Sequence, residues 1–258
     1  MTNFGASLGW GLLVGASLLF GSIAGAWLRL PSRVAAMITA FGGGLLLAAI
    51  ALELVPEADE LAGAPLTALG LGAGTLVFVA ADAWLTRDDD MKAMHRSGHA
   101  AAAGQQMNMP DHGSDRAEAK RGEAIAAGLF VDGVPESVAL GLTIAEGEIG
   151  LALLVGILVG NLVEAYGAAQ PIVASGLSKR FAVALLGGIG IALAVATLAG
   201  GTVLAEASPA FVGTAQAIAA GAVLAVISIS IVPHAFSEVS GRVAIATVLG
   251  FIGGYLLT

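Results

Sequence analysis

The chain has 258 residues, 57% of them hydrophobic and 12% charged, with 37 glycines and a formal net charge of −8. A soluble domain carries about 25% charged residues; here the charges sit between long apolar runs, which excludes a soluble globule and predicts a single all-α polytopic membrane domain over 1–258. There is no cysteine, hence no disulfide and no thiolate metal ligand, and no nucleic-acid partner is expected.

Eight apolar stretches, each long enough for a ~30 Å hydrocarbon core, follow in order. The first, Leu8–Leu28, is preceded by no Lys or Arg and is too long for a signal-peptide core, so it reads as an uncleaved span. The second and third are Arg33–Leu54 and Pro65–Leu85. Glu53 and Glu57 lie one turn apart near the end of the second; they are candidate entrance ligands, with an interfacial charge as the alternative.

Between the third and fourth spans lies the polar segment 86–122. It is low in large apolar residues and is expected to be disordered. It holds three of the four histidines, His95, His99 and His112, besides aspartates and methionines. Two readings stand side by side: a mobile metal-collecting loop, or a plain solvated linker.

The fourth span, Glu123–Ala145, places Asp132, Pro135 and Glu136 within an apolar run, and the fifth, Ile149–Ala174, places Asn161 and Glu164 near its middle. Ionisable groups at membrane depth mark a functional site by default. Asp132 and Glu136 are four apart and Asn161 and Glu164 three apart, so each pair shares a helix face. Pro135 has no N–H for the Val131 carbonyl, which adds an oxygen to the same seam. Such an oxygen cluster suits a divalent cation. The alternative is protonated interhelical glue.

The remaining spans are Phe181–Ala199, Phe211–Val232 and Val239–Leu257; His234, just after the seventh, is a candidate exit ligand or a solvated histidine. With these spans all 11 Lys and Arg fall on one side, including Arg29, Arg33, Lys179, Arg180 and Arg242. The positive-inside rule makes that side cytoplasmic and puts both termini outside. Gly44–Ala58, reading GLLLAAIALELVPEA, aligns without a gap to Gly221–Ala235, reading GAVLAVISISIVPHA. These two segments run in opposite directions through the membrane. An inverted repeat of three helices (8–85 and 181–257) flanking a central pair (123–174) is therefore expected, with the site near the midplane.

Asp132-Gly133-Val134-Pro135-Glu136-Ser137 resembles the H-N-x-P-E-G signature of the ZIP (Zrt/Irt-like) metal transporters, and Asn161-Leu162-Val163-Glu164-Ala165 resembles that family's second motif. The resemblance spans essentially the whole chain, including the order of the eight spans. It implies a 3+2+3 fold, often homodimeric, that carries zinc, or iron or manganese, across the cytoplasmic membrane into the cell. It places Asp132 at the family's histidine ligand, Glu136 and Glu164 at its two ligand glutamates, and Asn161 at an assisting position. Asp132 in place of histidine leaves no imidazole in the site, and Val163 replaces the second motif's proline. The set then reads as all-oxygen, which suits manganese or ferrous iron as well as the family's zinc. No enzyme chemistry and no resident cofactor are expected. The alternative function is a metal-sensing membrane homologue that binds without transporting.

Overall fold

The computed structural model describes residues 2–85, 87, 89–102, 115–147, 150–204, 206–233 and 241–258. Among them there is no strand. The helices in chain order are α1 (Thr2–Trp27), α2 (Ser32–Ala49), α3 (Val55–Ala62), α4 (Ala64–Leu85), α5 (Asp89–Ala102), α6 (Asp115–Glu146), α7 (Leu151–Ala174), α8 (Lys179–Ala199), α9 (Pro209–Val226) and α10 (Gly241–Tyr255). Seven continuous helical stretches are long and apolar enough to cross a membrane, so the chain is an all-α multi-pass membrane protein. The expected eighth span corresponds to α10. Its 15 residues rise about 22 Å, short of the ~30 Å core; residues 234–240 ahead of it lie outside the described set.

The second span outruns its sequence bounds, and it shares with the seventh a π turn set just ahead of a proline. The second span does not end at Leu54 but continues through a π-helical turn, Ile50–Leu54, into α3. Pro56 cannot donate to the carbonyl four residues back and would clash with it. Widening the turn by one residue relieves that clash, and the Val55 N–H bonds the Ile50 carbonyl five residues back. The same device recurs after α9, where Ile227–Ile231 form a π turn and the Val232 N–H bonds the Ile227 carbonyl, just ahead of Pro233. These are the aligned positions of the two related segments. Gly63, at φ 81°, then breaks the chain between α3 and α4, a conformation that residues with a Cβ resist.

Part of the segment expected to be disordered is ordered. Asp89–Ala102 form α5, which packs on α7, α6 and α2, and residues 115–122 open α6. Composition misled here because α5 is rich in alanine and short polar residues: it gains order by docking a small-residue face, burying Ser97 and Ala100–Ala102, not by burying large apolar groups. Residues 103–114 lie outside the described set.

Helix packing follows a regular scheme. α1 packs on α8 and α7, α2 on α10 and α7, α4 on α9, and α6 on α8 and α9. Exchanging α1 with α8, α2 with α9, α4 with α10 and α6 with α7 returns the same neighbours. Glycines make the close approaches, because lipid tails give helices no hydrophobic reason to associate and backbone proximity must supply the attraction. A Cβ on Gly44 would meet the Thr247 carbonyl, and one on Gly221 the Leu71 carbonyl. A Cβ on Gly250 would meet the Phe41 carbonyl, and one on Gly74 the Ile218 carbonyl. Each contact thus has its counterpart under the same exchange.

Candidate functional site

The site sits where α6 and α7 pack on each other. Asp132 and Glu136 on α6 are 2% and 3% exposed, and Asn161 on α7 is 1% exposed. Glu164 is half-buried. The three carboxyl groups are close enough to act on one another electrostatically: Glu136 on Glu164 and Asp132, and Glu164 on Asp132. Both amide atoms of Asn161, and the Ser137 hydroxyl that follows Glu136, are buried without a hydrogen-bond partner among the described residues. Groups of that kind need an ion or water to satisfy them.

A fifth donor arrives from α5. The His99 Nε2 lies 3.5 Å from Asp132 Oδ2. The α6 motif itself carries no imidazole; the ring beside Asp132 comes from the segment before it, where the sequence reading expected a loop. Local packing explains how α5 reaches that depth. Gly167 on α7 carries no side chain, so the Gly98 carbonyl and Ala102 of α5 can lie against it. The Thr39 hydroxyl of α2 donates to the Ala102 carbonyl at 2.9 Å, satisfying an end-of-helix acceptor. Between α2, α5 and α7 remains a cavity of about 20 Å³ whose lining includes Thr39, Gly43, His99, Val163, Glu164 and Ile231. That is room for one water-sized body.

The donors are assembled but not closed around a point. Among the described residues no group of three or more His, Asp or Glu side chains is gathered closely enough to hold a metal ion.

The other sequence candidates fall elsewhere. Glu53, in the first π turn, is engaged in packing: its Oε1 accepts from the Ala152 N–H at 3.3 Å and its Oε2 from the Leu153 N–H at 3.2 Å. It caps the N-terminus of α7, where a carboxylate complements unpaired N–H groups and the helix dipole. Glu57 is half-buried one turn further on, in α3. At the other end of the α6–α7 connection the Gln216 Nε2 of α9 donates to Glu146 Oε2 at 3.2 Å. The opposite end of α7 is tied to α1, with the Leu30 N–H donating to the Tyr166 hydroxyl at 2.8 Å and Arg29 to Gln170 Oε1 at 2.7 Å. His95 lies on α5 with its side chain outside the described set, and His112 and His234 lie outside it altogether.

Sequence reasoning placed His99 in a loop and passed over Ser137 and the Glu146–Gln216 pair. No local signal marks the depth of His99, which is set by the bare face that Gly167 gives α7. No protein-family model matches the chain, and no curated protein matches it.

Proposed function

We propose that this protein is a ZIP-like transporter of divalent metal ions that carries its cargo between α6 and α7 into the cell. The observation that carries the reading is the buried donor set itself. Three carboxyls and an unpartnered amide occupy the inner parts of two adjacent membrane helices, with an imidazole beside one of them. Lone charges at that depth are costly, and a cation compensates them. The repeated π turns and the exchange symmetry of the packing support the 3+2+3 reading, in which the outer repeats rock against the site-bearing pair. The one-sided Lys and Arg distribution supports cytoplasmic-membrane insertion with both termini outside.

His99 changes the choice of metal. A set of oxygens alone suits manganese or ferrous iron; with one imidazole nitrogen it moves towards zinc. Zinc is the first cargo by that argument, manganese or iron the second. Ligands bind metal in their deprotonated forms, so metal loading releases protons and binding weakens as pH falls.

Titration calorimetry on the purified protein tests the donor set. Zinc should bind wild type, binding should fall at least tenfold in Glu136→Gln, and Asp132→His should favour zinc further over manganese. Unaltered binding in Glu136→Gln removes Glu136 from the donor set.

A further inference from the structure

Away from the metal site a second, far larger cavity opens to the side of the bundle. It lies between α1 and α8, has a volume of about 580 Å³, and is walled by apolar and glycine residues. Near its upper end the two helices cross at Gly15 and Gly190, where a Cβ on either would lie 2.6 Å from the other's carbonyl oxygen, and Leu12 lines it just past that crossing. Beyond that crossing Gly11 is packed against Ala194 and Thr197, so the space between the helices is closed there. Towards Trp27 the wall recedes: Gly188 has nothing within 4 Å of an added Cβ. The groove ends at Arg180 and Trp27, and the Lys179 ammonium stands 5.3 Å from the centre of the Trp27 ring.

The dimensions identify an occupant. From Gly15 to Trp27 a helix rises about 18 Å, close to half of a ~30 Å hydrocarbon core. The groove is therefore one leaflet deep, and a tryptophan and two cations stand where that leaflet's headgroups begin. Basic pockets between membrane helices on the cytoplasmic side favour anionic lipid headgroups. We propose that this groove binds one anionic phospholipid of the cytoplasmic leaflet, with an acyl chain along Gly187, Gly188 and Ile191 and its phosphate at Arg180 and Lys179. The proposal rests on membrane embedding and not on metal transport, so it survives failure of the transport reading.

Trp27 supplies the readout, since only Trp10 and Trp84 must be replaced by Phe to isolate it. The full chain in vesicles would be quenched with brominated phosphatidylglycerol or brominated phosphatidylcholine. Preference for the anionic lipid should be about fivefold, roughly the contribution of one basic residue at a membrane surface. Arg180→Gln should lower it, and the double variant Lys179→Gln, Arg180→Gln should bring it near unity. Gly188→Leu, which enters open space, should reduce quenching by chain-brominated lipid while leaving the fold intact. Equal quenching by the two lipids in wild type, or no effect of Gly188→Leu, would overturn the proposal. So would disulfide cross-linking between two copies of a Gly188→Cys variant, which would make a second chain the occupant.

Discussion

At the scale of single residues, the proposed metal preference turns on the pair His99–Asp132. Asp132 is nearly fully buried and has an imidazole nitrogen at 3.5 Å. Removing the ring in His99→Ala should lower zinc affinity by about tenfold or more, with a smaller loss for manganese, because only zinc depends strongly on the nitrogen donor. Competition binding with both metals reads that difference; equal losses would place His99 outside the ligand set. The four residues Asp132, Glu136, Asn161 and Glu164 were legible in the sequence because each interrupts an apolar run, where a polar side chain is costly unless it binds something. His99 was not, because its depth depends on the flat surface that Gly167 gives α7, a property of the partner helix. Glu53 shows the converse. Its position near a span end suggested an entrance ligand or an interfacial charge; its carboxylate caps α7, a role only the partner helix reveals.

At the scale of elements, that cap matters. Glu53 and Gln216 tie the two ends of the α6–α7 connection to the π turn after α2 and to α9. Glu53→Gln keeps the size but leaves one oxygen where two accepted. The loosened end should expose the helix interior from the side of that connection. A Ser137→Cys reporter, placed in a chain that has no native cysteine, should react about tenfold faster with an impermeant thiol reagent in the Glu53→Gln background, given the strength of hydrogen bonds to a charged group. An unchanged rate would reduce Glu53 to a static cap. Gly44→Val and Gly221→Val should each destabilise the protein by about 1–3 kcal/mol, the usual cost of overpacking, while Gly72→Val, which enters open space, should not. Thermal unfolding in detergent measures all three. The related segments were visible in the sequence from Gly44 and Gly221 onward. The π turns were not, since a proline states only that a bond is missing and the packing decides how the helix recovers.

At the scale of the whole molecule, composition and hydropathy were enough for an all-helical membrane protein, because backbone groups in lipid must be satisfied within helices or closed barrels. The length of α10 was not readable, as apolar residues continue past its end to Leu257. Orientation rests on the basic residues. Ala64→Cys should label with an impermeant reagent from outside intact cells and Arg87→Cys should not; the reverse pattern would invert the topology and the direction of transport. Passage of metal through the α6–α7 carboxylates, as proposed, is read by uptake into proteoliposomes. Zinc, manganese and ferrous iron would be offered to vesicles containing wild type or Glu136→Ala. Uptake of at least one metal by wild type, abolished in Glu136→Ala, is the predicted result. Metal binding without uptake in wild type, or uptake unaffected by Glu136→Ala, would contradict it: the first would leave a metal-sensing protein, the second a path elsewhere in the bundle.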